Sequence, residues 1–299
     1  MGEACELIID GVRLPAPRLE PALYVVSTPI GNLADVTIRA LQTLAAADLV
    51  ACEDTRVTAR LLDRYGIRAR LASYNDHNAP ERRPHLLAAL AEGRSVALAS
   101  DAGTPLVSDP GYRLVTEAVA AGHRVVPVPG PSALLAALSV AGLPTDAFLF
   151  AGFLPPKRVG RRRRLAGLAA VPATLVFFEA RQRLAESLND MADVLGADRG
   201  ASVSREITKL HEETVRGTLA GVAAAFDARE EIRGEIVVVV GPPGEPAAAS
   251  RDELDRLLAA ALAGHSPAAA AGLVAEATGI PRREVYARAI ALKRDRCPE

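Results

Sequence analysis

Four short apolar runs, Leu23–Val26, Leu49–Cys52, Val96–Ala99 and Val125–Val128, alternate with stretches of helical pattern at Asp35–Ala46, Thr58–Arg64, Glu81–Glu92 and Tyr112–Ala121. Strand, loop, helix, strand in that rhythm commits the first half of the chain to a mainly parallel α/β sheet. Three of the runs lead into loops of unusual composition. Ser27-Thr28-Pro29-Ile30-Gly31-Asn32-Leu33 follows the first run, Ser100-Asp101-Ala102-Gly103-Thr104-Pro105-Leu106-Val107-Ser108-Asp109-Pro110-Gly111 the third, and Pro129-Gly130-Pro131-Ser132 the fourth. Glycine admits backbone conformations closed to other residues, and proline fixes φ and removes a donor. Such loops present a shaped backbone edge, and the carboxyl ends of parallel strands are where open α/β sheets bind ligands. One loop of this kind is an ordinary turn; three at one end of a sheet form a constellation.

The rhythm breaks over Gly142–Arg164, where Pro144, Pro155 and Pro156 put a domain junction near Leu143–Asp146. Beyond it the runs Ala173–Phe178, Ala201–Arg205, Thr214–Leu219 and Ile236–Val240 read as strands, with helical patterns at Gln182–Leu195 and Leu219–Arg229. Some connections are short enough for antiparallel pairing, so the second domain is expected to be mixed α/β. Gly241–Pro246 reads as a linker. Ser250-Arg251-Asp252-Glu253 is a capping box that opens a helix through about Ala263. Ser266-Pro267 starts a second helix, Gly279 closes it, and a third carries Val285, Ala289 and Leu292 on one side, suggesting a helix-turn-helix. The expected organisation is an extension over residues 1–20, an α/β domain over 21–142, a mixed domain over 143–243 and a helical tail over 250–299.

With 299 residues, 49% of them apolar and 24% charged, the chain can build two cores. Its net charge of −1 means that a polyanionic partner must be met by a local patch. Cys5, Cys52 and Cys297 are too scattered for a disulfide framework or a CxxC metal knuckle, which fits a reduced cytoplasm. Neither a signal-peptide pattern nor an apolar span of membrane length is apparent, so a soluble cytoplasmic protein without a membrane partner is expected.

The first loop carries one of the three glycines of G-x-G-x-x-G, and no G-x-x-x-x-G-K-[ST] occurs, which disfavours ordinary dinucleotide and P-loop sites. Glu53-Asp54-Thr55-Arg56 offers two acids and a guanidinium that either position a substrate hydroxyl or cap the next helix. Ser73–Asn78 holds one titratable ring, His77, of a type more often structural or solvent-facing. Ser204–Glu213 crowds ionisable groups beside a strand, either as a salt-bridged edge or as part of a site. Lys157, Arg158, Arg161, Arg162, Arg163 and Arg164 give six positive charges in eight positions. Such a cluster either neutralises phosphates or forms a solvated helix start, and the reading favoured here is nucleic acid. Arg282, Arg283, Arg288, Lys293, Arg294 and Arg296 in the tail are consistent with the same partner.

Taken in order, STPIGNL, EDTR, SYNDHN, SDAGTPLVSDPG, PGPSA, FFEAR, REITKLHEE and GEIVVVVGP resemble the tetrapyrrole-methylase-fold enzymes, and among them the ribosomal RNA small subunit methyltransferase I group. The resemblance spans roughly Leu23–Pro242, and the tail is similar to that group's C-terminal helix-turn-helix. It implies a two-domain α/β fold with S-adenosylmethionine bound in the cleft between domains, S-adenosylhomocysteine as product, and a homodimer. It further implies 2′-O-methylation of cytidine 1402 in 16S rRNA of the small ribosomal subunit.

On that reading the donor is held by Thr28, Pro29 and Gly31, by Asp101, Ala102, Gly103, Thr104, Pro105 and Leu106, and by Gly130, Ser132 and Ala133. Asp101 also offsets the sulfonium charge. Methyl transfer from a sulfonium is an in-line displacement that needs positioning and requires no metal. A ribose hydroxyl is a poor nucleophile, so a base or a charge that helps release its proton is expected among Glu53, Asp54, His77, Glu206 and Lys209. Arg56 and Arg205 are expected to hold the neighbouring phosphate. Two rival classes share parts of this pattern: a small-molecule methyltransferase acting on a tetrapyrrole, and a non-catalytic RNA-binding assembly factor.

Overall fold

The computed structural model describes residues 6–244 and 251–296. The described part of the expected N-terminal extension contains regular structure. β1 (Glu6–Ile9) and β2 (Val12–Pro15) form an antiparallel hairpin closed by Asp10-Gly11. Both turn residues take positive φ, +48° and +82°, the two-residue turn whose twist matches that of its strands. Leu7 is fully buried in a cluster with Leu41, Leu44 and Tyr65, and the Ile8 amide donates to the Tyr65 carbonyl at 2.8 Å. The hairpin is therefore stitched to the first core by both side chain and backbone.

The chain continues through β3 (Leu23–Val26), α1 (Ile38–Ala46), β4 (Leu49–Cys52), α2 (Thr55–Arg64), β5 (Leu71–Ser73), α3 (Ala79–Ala91), β6 (Val96–Ala99), α4 (Tyr112–Ala120), β7 (Val125–Val128) and α5 (Ala133–Val140). Five parallel strands lie in the order β5-β4-β6-β3-β7. The four apolar runs are four of these strands. The fifth, β5, is three half-buried residues, too short to announce itself as an apolar run. Side chains alternate between two cores: Tyr24, Val50, Cys52, Ala97 and Ala99 face α1 and α2, while Leu23, Ala51, Val96 and Leu98 face α3 and α4. Burial on both faces is why β3, β4 and β6 read as unbroken apolar runs. Because β6, β3 and β7 are neighbours, the three Gly/Pro loops leave the sheet side by side.

A second five-stranded sheet has the order β11-β10-β12-β9-β8. It is built from β8 (Phe148–Phe153), α6 (Arg158–Ala166), β9 (Thr174–Glu179), α7 (Leu184–Leu195), β10 (Gly200–Arg205), β11 (Glu213–Thr218), α8 (Leu219–Asp227) and β12 (Ile236–Val240). β8 and β9 run parallel and the other pairs antiparallel, the mixed sheet expected. β12, Ile-Val-Val-Val-Val, is buried at every position as the central strand. Both sheets with their helices belong to one compact unit.

A second compact unit holds the three tail helices, α9 (Arg251–Ala261), α10 (Pro267–Thr278) and α11 (Arg282–Arg296). Ser266 caps α10 and Gly279 ends it, as the residue pattern indicates. Leu258, Ala271, Val274, Val285 and Ala289 make its core, and Arg288 pairs with Asp255 across α11 and α9. Ser250 and Pro246 lie outside the described residues.

Candidate active site

The three loops are bonded to one another. Thr28 and Gly103 exchange backbone hydrogen bonds, Thr28 N to Gly103 O at 2.9 Å and Gly103 N to Thr28 O at 3.1 Å. The Thr28 hydroxyl donates to Ser100 O at 2.9 Å. The Ser27 and Thr104 hydroxyls meet at 3.0 Å, and Thr104 Oγ1 donates to Pro131 O at 3.2 Å. One threonine thus ties all three loops together. The loop after β4 joins them, since the Asp54 amide donates to Asp101 Oδ1 at 2.9 Å. Leu106 and Ser108 in the second loop hold positive φ, +73° and +63°, an unfavourable conformation for side-chain-bearing residues that persists only where surroundings enforce it.

Two cavities open on this knot. The first, about 350 Å³, lies between the loops and the second sheet. Ala102, Gly103, Thr104, Asp109, Ser132 and Ala133 form one wall. The opposite wall is largely apolar, with Phe153, Phe178, Ile207, Ile236 and Val237, and adds Glu179 and Arg181. The second cavity, about 430 Å³, is bounded by Thr28, Pro29 and Gly31, by Val57, Thr58, Arg60 and Leu61 of α2, and by Ser100, Asp101 and Lys209. Ile30, Ala102 and Glu235 line both, so the cavities share a wall. Each falls in the range of small-ligand sites. Of the expected donor-site residues, Ala102, Gly103, Thr104, Ser132 and Ala133 line the first cavity, Thr28, Pro29, Gly31 and Asp101 line only the second, and Pro105, Leu106 and Gly130 line neither; Leu106 instead packs on the first-sheet core.

Of the five proton-handling residues expected from sequence, Lys209 alone lines either of these two cavities. Its Nζ donates to Glu206 Oε1 at 2.9 Å and Glu235 Oε2 at 3.0 Å. Burial works to lower the Lys209 pKa, but the two carboxylates outweigh it and push the value above the ordinary lysine range. The bond from Lys209 likewise holds Glu206 below the ordinary carboxylate value, so Glu206 is a weakened base. The Lys209 stem lies over Gly31, at φ +146°, where a Cβ would sit 2.4 Å from Lys209 Cγ. At Gly234 a Cβ would come within 2.3 Å of Glu206 Cγ. Both glycines leave the room this cluster occupies.

Asp54 caps α2, its Oδ1 accepting from Arg56 N at 2.8 Å, and both carboxylate oxygens take the Arg56 guanidinium. Those bonds hold its pKa at about 2, which leaves almost no basicity. The capping alternative describes this pair, and Arg56 is already engaged. Glu53 is pushed the other way, first by burial and then by the charges of Asp101 and Asp109. Burial also raises Asp109, whose carboxylate meets the Ser100 hydroxyl. His77 is exposed, with its amide on Asn75 Oδ1 in a locally closed turn. Among the described residues no group of three His, Cys, Asp or Glu is arranged to hold a metal ion.

The basic octad departs from expectation. Arg158, Arg161 and Arg162 all converge on Asp190 of α7, at 3.1, 2.7 and 3.0 Å. Arg161 is 1% exposed and Asp190 2%, so Arg161 is a core residue that no phosphate reaches. α6 packs on α7, and burying a guanidinium there requires a carboxylate partner. Lys157, Arg163 and Arg164 remain on the surface. Arg205 is likewise engaged, by Glu213 and the Arg233 carbonyl. Residues that the motif reading assigned no role (Glu235, Arg181, Phe178 and Asp109) line the cavities. All lie inside motifs already quoted, in GEIVVVVGP, FFEAR and SDAGTPLVSDPG.

Known proteins bear directly on this arrangement. The tetrapyrrole (corrin/porphyrin) methylase family matches residues 22–223, and the RsmI C-terminal HTH domain matches residues 248–293. The chain is 58% identical over 96% of its length to the ribosomal RNA small subunit methyltransferase I of Mesorhizobium japonicum, covering 97% of that protein. The chain belongs to this methyltransferase family. Identity to its Escherichia coli O157:H7 member is 48%, with 92% of this chain and 96% of that one covered. A solved uroporphyrin-III C-methyltransferase from Thermus thermophilus, complexed with S-adenosylhomocysteine, shares the fold at a TM-score of 0.52 and 23% identity, covering 74% of this chain and 97% of that one. Among the described residues no helix is long and apolar enough to cross a membrane.

Proposed function

We propose that this protein is an S-adenosylmethionine-dependent methyltransferase of small-subunit ribosomal RNA, acting on the 2′-oxygen of cytidine 1402 in 16S rRNA. The observation that carries the reading is the pair of cavities with a common wall at Ile30, Ala102 and Glu235. A methyl transfer needs a donor compartment and an acceptor compartment that meet. The first cavity suits the donor: its apolar wall with Phe153 and Phe178 fits an adenosine, and Asp109 and Glu235 offer negative charge to a cationic ligand. The names of the relatives and the S-adenosylhomocysteine held by the fold neighbour support the same choice.

When bound, the donor supplies an electrophilic methyl group on a sulfonium. The chain's own residues supply alignment and charge. The backbone of the bonded loops fixes the donor compartment relative to the acceptor. In the acceptor compartment the Lys209 ammonium lowers the cost of negative charge on the attacking ribose oxygen. Asp101 and Glu235, the carboxylates lining that compartment, are the acceptors within reach for the hydroxyl proton. The exposed Lys157, Arg163 and Arg164 offer cations to the RNA backbone. The protein is taken to work in the cytoplasm as a homodimer, as the motif resemblance implies.

The test is to incubate the pure protein with labelled S-adenosylmethionine and small subunits from an unmodified strain, then map the label. Label on the 2′-oxygen of cytidine 1402 is expected. Label on another nucleotide overturns the assignment of target. Transfer to a precorrin-type acceptor in place of the subunit returns the protein to tetrapyrrole chemistry, and calorimetry without donor binding makes it an assembly factor.

A further inference from the structure

RNA entering the acceptor cavity brings a phosphodiester on each side of the reacting ribose, and that anion needs a cation with unused donors. The cationic side chains around the site differ sharply in what they already hold. Arg56 spends its guanidinium on both oxygens of Asp54. Arg205 is bound to Glu213 and to the Arg233 carbonyl. Lys209 already donates to Glu206 and Glu235, and its ammonium is assigned to the reacting oxygen. The Arg181 side chain is without a hydrogen bond or ion pair among the described residues, but it lines the other cavity. Arg60 combines unused donors with a place on the acceptor cavity. It projects from α2 on the face that borders the acceptor cavity, together with Val57 and Leu61, one turn of helix apart. It is exposed and has no hydrogen bond or ion pair within the protein among the described residues.

We infer that Arg60 is the phosphate-binding residue of the acceptor cavity, gripping the substrate backbone beside the ribose that is methylated. The inference rests on the methyltransferase reading above and replaces Arg56 in the role that sequence suggested. A guanidinium suits it, since two parallel N–H groups fit two phosphate oxygens. Asp101 and Glu235 line the same cavity, so an anion there is tolerated only where a cation compensates. Arg60 also explains why α2 is capped so firmly at Asp54. The cap fixes the first turn of the helix, and Arg60 sits little more than a turn beyond it.

An anion at Arg60 could belong to the RNA phosphate or to the donor's own carboxylate, and two arms separate these sources. Arg60→Gln and Arg60→Lys are compared with Arg56→Gln in the full-length protein. Subunit KM, kcat, subunit affinity against salt, and donor affinity by calorimetry are measured for each. Arg60→Gln is expected to raise subunit KM about ten-fold, the usual scale for one charge-assisted bond. It should lower the slope of log affinity against log salt by about one. Donor affinity and kcat should stay within about two-fold, with Arg60→Lys recovering most of the loss and Arg56→Gln leaving KM near wild type. An unchanged KM in Arg60→Gln, an equal rise in Arg56→Gln, or a loss confined to donor affinity overturns the inference. If the wild-type protein transfers methyl groups to subunits in any of those cases, the enzymatic reading survives while the role of Arg60 falls. If it does not transfer them, both fall.

Discussion

Two cation–carboxylate clusters in the compact α/β unit look alike in sequence and differ in everything else. One gathers Arg158, Arg161 and Arg162 of α6 around Asp190 of α7. The other joins Lys209 to Glu206 and Glu235 where both cavities meet. The first is sealed by helix packing, and its central pair is all but inaccessible. The second is partly open, and a ligand in either cavity would touch it. Charge density along a chain does not say whether a cluster holds the fold together or meets a substrate. The discriminating fact is what the charges face, and that depends on residues far away in sequence.

Perturbing the two clusters is expected to give opposite signatures. Arg161→Ala has the largest expected effect on stability. It leaves Asp190 buried without its closest partner and is expected to cost about 3–5 kcal/mol in a denaturant titration. Methyl transfer per folded molecule should barely change; a stable variant that lost activity would break the contrast. Lys209→Met should do the reverse, lowering kcat about a hundred-fold on the scale of other transition-state charge contacts. Its folding stability should drop by about 1 kcal/mol, because the pair is partly solvated. A Lys209→Met enzyme with normal kcat would reduce this cluster to a second structural device.

The smallest effect is on the pH dependence of stability. Glu206 is held below its ordinary 4.5 in the folded state, so its contribution is complete above that pH and lost as pH falls through the folded value. Lys209 is raised above its ordinary 10.5, so its contribution is present below that pH and lost as pH rises through the folded value. Glu206→Gln should flatten the acid limb of the stability curve by roughly 1 kcal/mol or less. Thermal melts from pH 3 to pH 6 read this, and an unaltered acid limb would mean that the pair contributes nothing.

What the sequence made legible is local. Runs buried on both faces announced β3, β4 and β6, the edge strand β7 showed as an apolar run although only Val128 of it is buried, and the loops that follow β3, β6 and β7 proved to be bonded neighbours. β5 escaped because three half-buried residues make no pattern. The Asp10-Gly11 hairpin had its turn signature in plain view, yet its strands are mostly exposed; Leu7 is their one fully buried residue, with Ile9 and Leu14 packed part-buried beside it. The site was legible as motifs and illegible as roles. Asp54 and Arg56 are adjacent to a real cavity but are consumed by each other, whereas Arg60, four positions on, faces it. Arg161 and Asp190 stand 29 positions apart, so nothing local marks either as buried. Side-chain partners at that separation are set by how α6 and α7 pack, which no window of sequence contains.

The way Lys209 spans the cleft has one more consequence. Its stem rests on Gly31 of the first sheet's loop, while both of its ionic partners, Glu206 and Glu235, belong to the second sheet's side. If the two walls separate to release a product, the lysine travels with its carboxylates and no ion pair has to break. Only a patch of methylene against backbone is uncovered, so the latch at this point is greasy instead of salty, and added electrolyte should hardly alter how readily it springs.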